Sequence, residues 1–234
     1  MDTEAATPFH AAATRAPAGV VPFALDTELV LPAQAIGLTL FAHGSGSGRR
    51  SPRNQFVARA LNRARIATLL LDLVKPEESD VRATRVDIAR LAKKLAATAR
   101  WTRTQPILAS LPIAFFGAST GAAAALIAAA ELGPWVRAVV SRGGRPDLAH
   151  GALARVACPT LLIVGGDDDI VLDLNRDALA RLRCEKSMVI VDGATHLFVE
   201  SGTLERVARE STRWLEKHFA PAVPTVLPTE SFDR

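Results

Sequence analysis

The chain has 234 residues, enough for one domain with a sizeable core. Its 49% hydrophobic and 22% charged residues exclude a disordered polypeptide. The net charge is +4, but the arginines are scattered, aromatics reach only 5% and tyrosine is absent, which argues against a basic surface that stacks nucleic-acid bases.

Residues 1–18 are rich in Ala, Thr and Pro and read as a flexible tail. Asp2 and Glu4 stand where a secretory signal would be basic, and no apolar run follows, so a cytoplasmic protein is expected. A single domain is expected over 19–219. It opens with 20-VVPFALDTELVLP-32, which reads as an antiparallel hairpin. The stretch 37-GLTLFAHG-44 reads as a buried strand running into a glycine-serine loop. Next comes the helix 51-SPRNQFVARALNRA-64, with Ser51 as N-cap and Pro52 at its first position. A strand 67-ATLLLDLV-74 precedes a helix over about 80–100, where Ile88, Leu91, Ala92, Leu95 and Ala96 share one face.

The uncharged run from Gln105 to Ala130 is long enough to span a bilayer, but Pro106, Pro112, Gly117 and Gly121 interrupt it. It divides instead into a strand, 112-PIAFFGA-118, and an alanine-rich helix from about 120. The strand 136-VRAVVSRGG-144, a short helical segment near 147–156 and the strand 159-PTLLIVGG-166 follow. A helix near 173–183 with Asp173 as its cap, the strand 187-SMVIVDGA-194 and a helix near 202–219 complete the domain. Residues 220–234 form a proline-rich tail. Continuous apolar strands alternating with amphipathic helices predict an α/β protein with a mostly parallel sheet covered on both faces. Cys158 and Cys184 lack metal-ligand spacing and read as free thiols.

In such a sheet, chemistry gathers at the carboxyl ends of the strands. Gly117-Ala118-Ser119-Thr120-Gly121 matches G-x-S-x-G, the sharp strand-to-helix turn that lifts a serine hydroxyl above the sheet. The serine needs a base, and the base needs an orienting carboxylate, in the chain order Ser, acid, His. His196 is the histidine that follows Ser119 at a strand end; His43 stands at the same rim but precedes the serine. Asp167, Asp168, Asp169 and Asp173 compete for the acid. The oxyanion of an acyl-transfer intermediate would take the backbone N–H groups of Thr120 and Ser45. A dinucleotide site is excluded because Arg49 occupies the third glycine position of G-x-G-x-x-G.

Together, FAHGSGSGRRSPRN, FGASTGAAAAL, VVSRGGRPDLA, PTLLIVGGDDDIV and GATHLF resemble the dienelactone hydrolase-like branch of the α/β-hydrolases, over about residues 20–219. The resemblance implies an eight-stranded sheet and a triad of Ser119, Asp168 and His196. Asp168 is selected because the family's G-x-x-D-x-x-V pattern falls on Gly165, Asp168 and Val171. Dienelactone hydrolases use a cysteine nucleophile, so Ser119 points to a serine carboxylesterase acting on a small ester or lactone. Too few residues separate strands 136–144 and 159–166 for a cap domain. No cofactor, metal, nucleic acid or membrane is implied. His43, Arg49, Arg142 and Arg145 are candidate substrate contacts, the arginines for an acidic group on the substrate. The alternative is that the arginines pair with Asp72, Glu77, Glu78 or Asp147 and hold loops.

Overall fold

The computed structural model describes residues 21–44, 46–74 and 87–220. In chain order it contains β1 (Thr27–Val30), β2 (Gly37–Ala42), α1 (Pro52–Arg63), β3 (Ile66–Leu71) and α2 (Ile88–Thr102). There follow β4 (Ile113–Ala118), α3 (Thr120–Leu132), β5 (Val136–Arg142), a 3-10 segment (Pro146–Arg155), β6 (Thr160–Gly165), α4 (Asp169–Arg181), β7 (Lys186–Val191) and α5 (Thr203–Phe219). The strands form one sheet in the order β1-β3-β2-β4-β5-β6-β7, with β1 antiparallel to β3 and every other pairing parallel.

Side chains alternate between the two faces of the sheet, and both faces are buried. Leu38, Leu40, Leu69, Phe115, Val139 and Leu162 pack with α2 and α3. Phe41, Leu70, Phe116, Val140 and Ile163 pack with α1 and α5, and the Phe41 and Phe116 rings stack at 4.7 Å. The small side chains of α3 let its backbone lie close to the sheet, and Ala122 to Ala125 are wholly buried. Ser51 caps α1, its hydroxyl accepting from the Asn54 N–H at 3.5 Å, and Pro52 follows. Among the described residues no helix is long and apolar enough to cross a membrane.

Three expectations are corrected. The described residues hold seven strands rather than eight. The hairpin predicted over 20–32 is a single strand, β1, preceded by a 3-10 turn at Pro22–Ala24. Pro22 lacks a ladder donor, and Phe23 and Ala24 adopt φ of 64° and 47°, which no extended strand accommodates. Finally, α4 begins at Asp169, not near 173, because Val171 and Leu172 already face the core. Asp168 therefore holds the N-cap position, and Asp173 lies inside the helix paired with Arg176 at 2.9 Å. The tail predicted over 1–18, all but Ala220 of the tail predicted over 220–234, the start of the helix predicted from about 80, and Ser45 lie outside the described residues.

Candidate active site

Ser119 connects β4 to α3 with φ 51° and ψ −125°, a conformation an L-residue adopts at a cost of about 1–3 kcal/mol. Its surroundings hold it there. The Ser119 N–H donates to the Arg142 carbonyl at 3.3 Å, while its own carbonyl accepts from the N–H groups of Ala122 and Arg145, both at 3.0 Å. The glycines of the motif are required by contact. A β-carbon at position 121 would lie 2.1 Å from the Ala42 carbonyl oxygen, and one at 117 would lie 2.4 Å from Ala122 Cα. Gly44, two residues past β2, has Ser119 Cβ against it, with only 2.8 Å available to a β-carbon. Thr120 begins α3, so its N–H belongs to the helix's first turn beside the serine.

The loops after β6 and β7 cross at Gly165, where a β-carbon would stand 2.3 Å from the Ala194 carbonyl. The Asp167 N–H donates to that same carbonyl at 3.0 Å. This crossing brings Asp168 Oδ2 to 2.7 Å from His196 Nδ1. The Asp168 side chain is 15% exposed and that of His196 38%, so the carboxylate is shielded while the ring stays reachable. A carboxylate oxygen only accepts, so Nδ1 donates and Nε2 is left as the basic nitrogen. Asp167 and Asp169 are exposed, and Asp168 alone of the three meets the ring.

One turn links the serine to the histidine. Arg142 and Arg145 hold Ser119, and between them Gly143 adopts φ 49°. A β-carbon on Gly143 would be 3.1 Å from the His196 carbonyl oxygen and 3.7 Å from His196 Nδ1. Ser119 and His196 thus flank the same turn, without a hydrogen bond between hydroxyl and ring. Such contacts often tighten only when substrate arrives.

The other residues singled out in the sequence are placed as follows. His43 is buried, its Nε2 accepting from the Leu73 N–H and its Nδ1 facing the Gly44 carbonyl, both at 2.9 Å. Backbone engages both nitrogens, and burial holds the ring's pKa below histidine's ordinary value. Arg49 is tied to Asp72 through its backbone N–H at 2.6 Å and through its guanidinium, which also meets Asp26 at 3.3 Å. Arg145 grips Asp147 with two parallel bonds of 2.9 and 2.8 Å, and that pairing raises its pKa. Arg142 is buried at the tip of β5, 5.9 Å from the Phe198 ring centroid, with Nε and Nη1 unpartnered.

Sequence reading missed Asn175. From α4 its amide donates to the Gly144 carbonyl at 2.9 Å, tying that helix to the turn between Ser119 and His196. The available signal was a polar residue on the apolar stripe of Val171, Leu172 and Ala178. Among the described residues no group of His, Cys, Asp and Glu could hold a metal ion. A groove lined by Ile36, Arg103, Pro112, Trp135, Arg137 and Phe219 lies at the opposite, amino-terminal edge of the sheet, away from these loops.

No protein-family model matches the chain. It is 49% identical over 225 residues to a Mycobacterium tuberculosis protein provisionally named a phosphoribosyl transferase, a match covering 96% of this chain and 50% of that protein. The chain thus spans about half the length of that relative, whose name describes a protein with as much chain again. A lidless α/β serine hydrolase from Xanthomonas campestris shares the fold at 23% identity, with a TM-score of 0.67 over 86% of this chain and 91% of the other. The crystal structure of a dienelactone hydrolase from Anabaena variabilis superposes with a TM-score of 0.84 and 47% identity, over 88% of this chain and 97% of that one. With nearly half its residues shared along almost the whole of that enzyme, the chain belongs to the dienelactone hydrolase-like group of the α/β-hydrolases.

Proposed function

We propose that the protein is a serine hydrolase that cleaves small carboxylic esters or lactones through an acyl-enzyme intermediate. The observation that carries this is the 2.7 Å contact of Asp168 with His196, set across one turn from a serine held at φ 51°. Asp168 fixes the ring so that Nε2 faces the site as general base. His196 takes the Ser119 proton as Oγ attacks the carbonyl, and the tetrahedral oxyanion accepts from the N–H groups of Thr120 and Ser45. His196 then protonates the leaving alkoxide. Water, losing a proton to the same nitrogen, attacks the acyl-enzyme and releases acid and free serine. Every step uses side chains and backbone of this chain, with no cofactor or metal required.

A fluorophosphonate probe and a panel of 4-nitrophenyl and lactone substrates test the reading. The wild-type chain should be labelled and should turn over short esters, while Ser119→Ala should do neither. Labelling that survives Ser119→Ala would remove Ser119 as the nucleophile. A non-catalytic binding protein on this fold would show no labelling at all. An acyltransferase using the same triad would label, yet release acid slowly until an alcohol or amine acceptor was added.

A further inference from the structure

Cys158 and Cys184 are the two thiols of the chain, and the fold brings them to one place. Each stands two residues before a strand, Cys158 before β6 and Cys184 before β7. These strands pair in parallel with Thr160 opposite Lys186. Two residues back along each chain, the same register sets Cys158 opposite Cys184. The pairing holds up to this end of the sheet, where the Thr160 N–H donates to the Glu185 carbonyl at 2.9 Å. Adjacent strands run about 4.8 Å apart, inside the roughly 4.4–6.8 Å between α-carbons that a disulfide spans.

The side chains must also point the same way. Alternation puts residues 158 and 162 on one face of the sheet, and residues 184 and 188 on the same face of the next strand. Leu162 and Met188 both pack on the side of α2 and α3; Cys158 belongs to that core, and Cys184 packs against it. One hydroxyl touches both residues: Thr160 Oγ1 donates to the Cys158 carbonyl at 3.2 Å and accepts from Cys184 Sγ at 3.7 Å. Burial first, and the charge of Cys184 second, push the Cys158 thiol up to about 12, the second effect being that of a neighbouring sulfur. Access differs between the two. Cys158 is 4% exposed and Cys184 is half-buried, so an oxidant reaches Cys184 first.

We propose that Cys158 and Cys184 form a reversible disulfide, made by exchange with a low-molecular-weight disulfide such as oxidised glutathione, that staples β6 to β7. The proposal is independent of the hydrolase reading. The Cys184 thiolate attacks one sulfur of the small disulfide, and the thiolate displaced takes up the proton that Cys184 gave up. The Cys158 sulfur then attacks Cys184 Sγ in the mixed disulfide, and its proton leaves with the second small thiol. Two protein thiols lose two electrons to form one S–S bond, and one small disulfide is reduced to two thiols. The raised pKa of Cys158 makes the second step the slow one. Asp168 and His196 lie beyond the far ends of the same two strands, about 20 Å away at about 3.3 Å per residue. The staple thus ties together the strands that carry both side chains without entering the site.

The test incubates the protein with oxidised glutathione, denatures it and counts free thiols with a maleimide. Trypsin cuts after Arg155, Arg176, Arg183 and Lys186, so the cysteines leave on separate peptides that only an S–S bond joins. Free thiols should fall from two to none in a monomer, with the two peptides joined, and dithiothreitol should separate them. The oxidised protein should melt about 5–10 °C above the reduced protein, because the bond closes a loop of the unfolded chain around β6 and α4. Cys184→Ser and Cys158→Ala should each abolish that difference. If Cys158→Ala does not fold, the half-buried Cys184→Ser decides alone. Two thiols still free after oxidation, a lasting mixed disulfide on Cys184 with Cys158 free, or cross-links between chains would each overturn the proposal. So would a joined pair whose Tm is unchanged or lower. None of these readouts needs turnover, so they stand even if fluorophosphonate labelling removes the hydrolase reading.

Discussion

Asp168 and its two neighbours separate orientation of the histidine from mere local charge. Asp168→Asn keeps the shape of the 2.7 Å contact but offers an amide where Nδ1 needs an acceptor, favouring the wrong tautomer. Ester turnover is expected to fall about 10⁴-fold in kcat, the effect of this change in other triads. Exposed Asp167 and Asp169 carry equal charge within one residue, and their Asn variants should stay within about threefold of wild type. Equal losses at all three positions would mean that the acidic run acts as a field and not as a triad member. His43 makes a second prediction at this scale, for stability. Burial lowers its folded pKa, so below about pH 6.5 the unfolded chain binds a proton that the folded chain resists. Stability is therefore full above that pH and declines as pH falls from it towards the folded value, by at most about 1.4 kcal/mol per pH unit. Urea unfolding at pH 7.5 and 5.5 should show a smaller loss for His43→Gln than for wild type. His218 shifts in the same direction through burial, so the difference between the two proteins is the quantity to read.

The elbow between β4 and α3 shows why an element can hinge on one missing atom. Gly121 leaves no room for a β-carbon, with the Ala42 carbonyl oxygen at 2.1 Å and the His43 carbonyl oxygen at 2.6 Å. These are backbone atoms of β2 and its loop, which cannot rotate away as a side chain could. Gly121→Ala should cost about 3 kcal/mol or more, lowering Tm by roughly 6–12 °C. Gly151→Ala, whose nearest new contact would be Arg155 Nη1 at 3.9 Å, should move Tm by no more than about 2 °C. Similar Tm values for the two would show that β2 and α3 part more easily than this contact implies. The glycine motif was legible because its spacing follows directly from such contacts, and the core strands were legible because full burial writes continuous apolar runs. Ser119 and His196 stood out because each lies just beyond the carboxyl end of a strand, one residue past β4 and five past β7. The acid was not separable by residue type, since three consecutive aspartates differ only in direction, and the crossing at Gly165 sets that direction. The arginine partners were only partly separable: Arg145 has Asp147 two residues on, whereas Arg49 and Asp72 are 23 residues apart. The edge was misread because Pro22 and the left-handed residues after it override the strand propensity around them.

At the scale of the whole molecule, what lies between β5 and β6 decides how substrate is held. Residues 143–159 carry only the 3-10 segment, whose Ala149, Ala152 and Leu153 are buried in the core shared with α2 and α3. The segment is thus part of the body of the domain and not a cover over Ser119. At the rim by Asp168 and His196, the apolar Ile170, Leu197 and Val199 stay 76%, 45% and 67% exposed. An acyl chain lying across such a surface would leave most of each added methylene in water. A methylene fully buried is worth about 0.8 kcal/mol, or about fourfold in kcat/KM. Four methylenes, from 4-nitrophenyl butyrate to octanoate, would then raise kcat/KM about 200-fold in an enclosed channel. On this open rim the whole series should vary by less than about fourfold, measured with monomeric substrate. A rise approaching fourfold per methylene would mean that the chain is wrapped, and would require a cover that the path from β5 to β6 does not supply.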